Sequence, residues 1–350
     1  MKMDRKNEFL LQWHVTARCQ QHCKHCYMYD EPTYISECEN ELSFEECITV
    51  LNDYEDFCNK MNVDGRITFT GGDPLLRKDI FELIYEAKKR GFVVGILGNP
   101  FLVENDIPRK LKEVGIHHYQ VSLDGLEETH DFLRKKGSYQ ATINSIDLLK
   151  KEGIQVHVMN TLSKTNKNDL LPLMKVVGEL GVDVFAFGRI TCNGSGKQFK
   201  EMNIEPKEYR KILEKVDEYR KKMSDEGVKT IYANKCHLWK LYKYENEEIE
   251  LVDDKETIFG GCSIGISGMV LLADGTAMAC RRFPSYVGKV PEKTIYDVFM
   301  SEQMNQYRQV HKLEKCVKCE LFQICRGCPA VSYGMTGRWT APDPQCWKQI

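Results

Sequence analysis

The stretch Phe9-Leu-Leu-Gln-Trp-His-Val-Thr16-Ala-Arg-Cys19-Gln-Gln-His-Cys23-Lys-His-Cys26 decides how the rest of this chain is read. Its first half is a β-rich apolar run, and its second half is a polar loop carrying three cysteines. Three thiols can therefore converge from one short loop at the end of a strand. A closed structural site uses four protein ligands, whereas three ligands leave a position free for a substrate or cofactor. For an iron–sulfur cluster, normally held by four thiolates, the missing cysteine leaves one iron open. His22 and His25 offer the alternative of completing a zinc site.

Working outward, β-rich runs recur at 66–70, 92–97, 119–123, 155–159 and 184–187, each followed by a longer helical pattern. With the first strand this makes six strand-then-helix units over residues 9–227. The helices are expected to stop at Gly91, Gly115, Gly153, Gly181 and Gly227, where glycine takes the left-handed position after a helix. The first helix is expected to start at Ser43-Phe-Glu-Glu46, a capping box in which side chains satisfy free backbone N–H groups. Alternating strands and helices imply an α/β fold with a parallel sheet and right-handed crossovers, barrel-like or doubly wound. In either case the chemistry is expected at the carboxyl ends of the strands.

The composition is that of an ordinary globular chain: 350 residues, 42% hydrophobic and 29% charged. Lys plus Arg number 49 against 51 Asp plus Glu, so no global basic field attracts nucleic acid or anionic lipid. There is no long apolar run of membrane-spanning length and no signal-peptide pattern at the start, so the expectation is a soluble, cytoplasmic protein. The anomaly is cysteine, at 15 residues, because a chain of this size in a reducing compartment needs no disulfides. The remaining patterned cysteines are Cys262, Cys280, Cys316, Cys319, Cys325, Cys328 and Cys346, while Cys38, Cys47, Cys58, Cys192 and Cys236 are scattered and expected to pack.

From about Lys229 the alternation dissolves, and the acidic stretch 244–256 reads as a solvated linker. Beyond it, residues 268–280 read as a hairpin turning at Asp274-Gly275. Residues 294–310 read as one helix with Thr294 as N-cap. The segment 316–328 has too little periodic apolar sequence for a core of its own, and bound metal would supply the missing stabilisation.

Cys19-Gln-Gln-His-Cys23-Lys-His-Cys26-Tyr27 resembles the CxxxCxxC signature of radical S-adenosylmethionine (SAM) enzymes, with His25 where that family often has an aromatic residue. The resemblance implies a partial (β/α)6 TIM-like barrel and a [4Fe-4S] cluster on Cys19, Cys23 and Cys26 that binds SAM. Reductive cleavage of SAM then yields a 5′-deoxyadenosyl radical that abstracts hydrogen from the substrate. Gly71-Gly72-Asp73-Pro74 resembles the family's GGEP motif, which holds the SAM amino group, with Asp in place of Glu. Ser122, Asp124 and Arg134 resemble contacts to the ribose and carboxylate, an arginine fork suiting a carboxylate. Asn99, Asn160 and Arg189 stand at the ends of strands three, five and six as further SAM-binding candidates.

The last seven patterned cysteines resemble the SPASM domain, which carries two auxiliary [4Fe-4S] clusters. That resemblance implies Cys262, Cys280 and Cys328 for the first and Cys316, Cys319, Cys325 and Cys346 for the second, three clusters in all. Two departures stand out: Cys325 and Cys328 are separated by two residues where the family usually has three, and no cysteine lies just before Cys262. The implied organisation is a core at 1–227, a linker at 228–260 and a SPASM domain at 261–350.

SPASM enzymes that resemble this chain act largely on peptides, which implies a ribosomally made precursor peptide as substrate and a thioether or other cross-link as product. A reductant such as ferredoxin or flavodoxin is implied, and oxygen sensitivity with it. The first strand begins within ten residues of Met1, so leader recognition is expected from a separate protein or from the barrel and SPASM surfaces. The alternative within the class is a sulfatase-maturing, formylglycine-generating enzyme. That family places an Asp base after the second SPASM cysteine, where Arg281 and Arg282 stand here. A zinc-stabilised binding module without catalysis is the alternative from another class.

Overall fold

In a computed structural model, residues 8–29, 33–251, 258 and 260–350 are described. Part of the acidic stretch read as a linker, residues 252–256, lies outside the described residues. Strands β1 (Glu8–Thr16), β2 (Asp64–Gly71), β3 (Val93–Leu97), β4 (His118–Ser122), β5 (Gln155–Leu162) and β6 (Val184–Arg189) fall where the sequence places them. They are joined by β7 (Ile231–Asn234), β8 (Gly268–Leu271), β9 (Thr276–Met278) and β10 (Tyr286–Lys289). Among the described residues these form one sheet in the order β10-β9-β8-β1-β2-β3-β4-β5-β6-β7.

Pairing from β1 through β7 is parallel, the pattern that helical crossovers produce. The fold is an α/β core with a parallel, open sheet, as expected for a partial barrel. Leu11, Trp13 and Val15 alternate with Gln12, His14 and Thr16 along β1. The apolar set faces the helical layer, where Phe9 packs on Tyr54 and Phe57 of the helix Phe44–Met61. The polar set lies on the opposite face of the strand. The capping box of that helix is formed as read, with Ser43 accepting from the Glu46 N–H and Glu46 from the Ser43 N–H. All five helix-ending glycines have positive φ.

Three features differ from the sequence expectation. An earlier helix, Thr33–Glu39, precedes the one that starts after Ser43. The expected linker is ordered over Ile231–Asn234 and Leu238–Glu245, where a strand of only four residues pairs with β6. Such a short strand carries too little alternation to stand out. The expected helix over 294–310 is broken into Ile295–Met300 and Glu302–Arg308, because Ser301 turns to an extended backbone and its hydroxyl accepts from the Met304 N–H, capping a second helix.

The hairpin β8–β9 forms at Asp274-Gly275 as read. What the sequence does not reveal is that β8 lies parallel to β1, Leu10 to Trp13 pairing with Gly268 to Leu271. The C-terminal region thereby continues the core sheet across its first edge.

Candidate active site

The loop after β1 carries Cys19, Cys23 and Cys26, all partly buried. It is rooted by the glycines at the end of β2. The Gly72 N–H donates to Thr16 O at 2.9 Å and the Asp73 N–H to Arg18 O at 2.8 Å. A Cβ on Gly72 would stand 2.0 Å from Arg18 O, so only glycine lets the two chains meet. These two N–H groups are thus spent on the cysteine loop itself. Asp73 is fully buried and accepts from Gln20 Nε2 at 2.8 Å and from the Leu75 N–H at 3.3 Å. Burial raises its carboxyl to about 6.

Asn99, after β3, donates from Nδ2 to Cys19 Sγ at 3.3 Å. Arg134 donates from Nη1 to Cys23 Sγ at 3.4 Å and from Nε to Asp124 Oδ2 at 2.6 Å. Its side chain is only 11% exposed, so it is no solvated helix charge. Asp124 also faces His25 Nε2 at 3.2 Å and accepts from the Thr161 N–H at 2.8 Å. Burial opposes its ionisation, but Arg134 and His25 outweigh that and hold the carboxyl well below the usual range. One network therefore links the residue before the third signature cysteine, the end of β4 and a cysteine thiol. Ser122 ends β4 on the half-exposed face shared with His118 and Gln120.

Two candidates are placed elsewhere. Asn160 shares the buried face of β5 with Val156, Val158 and Leu162, turned away from Met159 and Thr161, and ties to Leu123 O at 3.0 Å. Arg189 is captured by Asp343, with Nη1 to Oδ1 and Nη2 to Oδ2 both at 2.6 Å, and by Gln345 Oε1 at 2.9 Å. Its fork is filled by this acid, so it clamps the C-terminal segment onto β6 and has no fork left for SAM. Residues that sequence reading passed over include Gln20, which bridges Asp73 and comes within 3.5 Å of Asn99, and His130, whose Nδ1 accepts from the Asp124 N–H at 3.0 Å. Gln20 lies inside the signature and could have been suspected, whereas His130 has no sequence mark.

In the C-terminal region, Cys316, Cys319, Cys325 and Cys346 line one small opening together with Asp343 and Gly327. Gly327 has φ +62°, and its α-carbon packs so close to Asp343 that a Cβ would lie 2.6 Å from that residue's Cβ. This glycine is what lets the shortened Cys325–Cys328 spacing turn. Cys262, Cys280 and Cys328 gather around Arg282, which donates from Nη2 to Cys328 Sγ at 3.2 Å. The Cys328 thiolate foremost raises the Arg282 guanidinium above its ordinary value. Cys236 lies instead beside Tyr209, Arg189 and Asp343, and Cys192 beside Asn203, so neither joins the three. Cys47, Cys58, Cys192 and Cys236 are buried as packing residues, while Cys38 is half-buried.

The chemistry of these groups fits iron–sulfur clusters. Among the described residues no set of three or more His, Cys, Asp or Glu side chains is arranged to hold one metal ion. The thiols of Cys19, Cys23 and Cys328 receive side-chain N–H donors, the contacts that tune cluster sulfurs. Burial pushes the Cys23 and Cys262 thiols up to about 12, a cost that bound iron offsets.

Residues 13–177 match the radical SAM superfamily model and residues 262–329 the model of the SPASM iron-sulfur cluster-binding domain. The chain is a radical SAM protein with a SPASM domain. Radical SAM SPASM proteins are enzymes that use SAM and iron–sulfur clusters, so the reading as a binding module without catalysis falls. The chain is 28% identical over 354 residues to the Fe-coproporphyrin III synthase of Methanosarcina barkeri, covering 96% of this chain and 86% of that one. It is 26% identical over 349 residues to the AdoMet-dependent heme synthase of Oleidesulfovibrio alaskensis, covering 97% and 87%. It is 26% identical over 312 residues to the sporulation killing factor maturation protein SkfB of Bacillus subtilis, covering 88% and 68%. The fold is similar to that of SuiB of Streptococcus suis bound to SAM, with TM-score 0.77 and 18% identity over 98% of this chain and 78% of that one. Among the described residues no helix is long and apolar enough to cross a membrane.

Proposed function

We propose that this radical SAM SPASM enzyme matures a ribosomally made peptide, using a cluster on Cys19, Cys23 and Cys26 and two auxiliary clusters on the remaining sets. SAM and reduced iron–sulfur together supply a 5′-deoxyadenosyl radical for hydrogen abstraction. In this reading Asp73 would receive the SAM amino group, while Asn99 and Arg134 would hold the Cys19 and Cys23 thiolates by the hydrogen bonds they already make. The observation that carries the proposal is the trio Cys262, Cys280 and Cys328, which no other described cysteine joins. Three thiolates leave a coordination position for a substrate thiolate, and that favours a cysteine-derived thioether. The similarity to SkfB, a maturation protein by name, supports a peptide substrate.

The formylglycine alternative loses support because the residue after Cys280 is Arg281, bound to Glu37 at 3.1 Å, and no arginine serves as a base near neutral pH. A second reading, chemistry on an iron porphyrin, is favoured by the near end-to-end similarity to the coproporphyrin and heme synthases. A cytoplasmic setting with a ferredoxin or flavodoxin as reductant fits either reading.

The test is anaerobic incubation with SAM and a strong reductant beside two substrates: a cysteine-containing peptide encoded next to this protein, and an iron coproporphyrin. A peptide product lighter by two hydrogens supports maturation. Conversion of the porphyrin, with the peptide unchanged, overturns it.

A further inference from the structure

One cluster of buried polar side chains plays no part in the sites above. His14, on the polar face of β1, and Glu37, on the helix Thr33–Glu39, are both 0% exposed, and Arg281, which follows Cys280, is 4% exposed. Arg281 Nη2 donates to Glu37 Oε1 at 3.1 Å, and His14 Nδ1 stands 3.7 Å from Glu37 Oε2. That distance is beyond a hydrogen bond and within closing range of a small ring rotation. Both ring nitrogens of His14, Glu37 Oε2 and Arg281 Nε have no partner, in a region where buried polar atoms are nearly always satisfied. Since Nδ1 and Oε2 face each other, His14 Nε2 and Arg281 Nε are the two buried atoms left to meet something polar.

The surroundings say what. Arg281 also lines a narrow crevice with Tyr27, Asn193 and Phe283. Tyr27 directly follows Cys26, and Arg281 directly follows Cys280, so this opening lies between the first cysteine loop and the Cys262, Cys280 and Cys328 trio. A carboxylate facing Nδ1 of an imidazole fixes the proton there and leaves Nε2 with a free lone pair. We propose that His14 Nε2 accepts the proton shed by the substrate, with Glu37 as the residue that orients the ring and Arg281 as the residue that positions Glu37.

The inference rests on the peptide reading, in which the balance is complete. Forming a C–S bond from C–H and S–H removes one hydrogen atom to the 5′-deoxyadenosyl radical, one electron to an oxidised iron–sulfur cluster and one proton to His14. The groups facing His14 are Glu37 from the helix and Arg281 from the segment after β9. Burial holds the imidazole below its ordinary value against the pull of Glu37, so it is neutral at pH 7, and the Glu37 carboxylate is the group that would steady the ring while it carries a proton.

Two measurements on the whole chain test this assignment. In ¹⁵N-histidine-labelled protein, His14 is expected to stay neutral between pH 6 and 8 with its proton on Nδ1, and Glu37→Gln is expected to lose that tautomer preference. A ring protonated on Nε2, or one titrating near the ordinary value of about 6.5, overturns the proposal with no substrate required. With the cysteine-containing peptide and SAM, His14→Gln is expected to keep 5′-deoxyadenosine formation within twofold while product per 5′-deoxyadenosine falls at least tenfold. Glu37→Gln is expected to lower that ratio as well, and Glu37→Asp to keep more of it than Glu37→Gln does. An unchanged ratio in His14→Gln overturns the proposal. If wild-type protein fails to modify the peptide, the peptide reading has failed, and the tautomer measurement still supports or overturns the assignment of His14 by itself.

Discussion

Replacing Asp343 with alanine removes the acid that neutralises Arg189 at the join between β6 and the C-terminal segment. The two side chains are 2% and 1% exposed, and both guanidinium contacts are 2.6 Å. Asp343 also accepts from the Cys328 N–H at 2.8 Å and the Gln345 N–H at 3.0 Å. Taking one partner from a buried pair costs about 3–5 kcal/mol, because an uncompensated charge stays behind. Against a typical total of about 5–15 kcal/mol this is a large share. Because Asp343 bonds Cys328 and lies in the opening lined by Cys316, Cys319, Cys325 and Cys346, the loss should also lower iron retention in the SPASM region. The assay is anaerobic urea unfolding of reconstituted protein, with iron counted per chain. In Arg189→Met with Asp343→Asn the charges are gone together, so the double variant should be at least about 2 kcal/mol more stable than Asp343→Ala. Asp343→Ala lying within about 1 kcal/mol of wild type, with iron intact, would refute the account. The Asp343 carboxyl is held below its ordinary value, with burial opposed and outweighed by Arg189, so its contribution is fully present above about pH 4 and is lost as pH falls through the lower folded value.

Other perturbations have equally definite outcomes. The Cys19, Cys23 and Cys26 triple alanine variant should produce no 5′-deoxyadenosine yet retain about two thirds of the wild-type iron, as a share of three equal clusters; iron analysis beside chromatography checks both. Asp73, with its carboxyl raised to about 6, is protonated below that pH, so SAM binding should weaken about tenfold per unit as pH falls beneath about 6. Asp73→Asn should flatten that profile in equilibrium binding. Gly72→Ala forces a Cβ to 2.0 Å from Arg18 O and should displace the cysteine loop, seen as lost iron at the first site with the SPASM iron unchanged.

Much of this protein is written locally. The strands that hold the core recur with helices between them, and each helix-ending glycine takes the positive φ that its lack of Cβ allows. Cysteine spacing points to the chemistry because Cys19, Cys23 and Cys26 bring three thiols from one short loop. Asn99 and Arg134, suspected from sequence as SAM contacts, donate hydrogen bonds to the sulfurs of Cys19 and Cys23. What only the tertiary structure decided is long-range pairing. That β8 runs beside β1 and that Arg189 meets Asp343 involve partners more than 150 residues apart in the chain, and their local sequence carries no trace of the partner. Asn160 turns into the buried face because alternation along β5 fixes which side each residue takes, and a one-residue difference reverses it. Periodicity and spacing act over a few residues, so the sequence by itself determined most of the core strands and helices and suggested the ligand sets. Burial and charge pairing act across the fold, so only the folded chain decided which arginine stands beside the first cysteine loop, which clamps the C-terminal segment, and which histidine lies against Glu37.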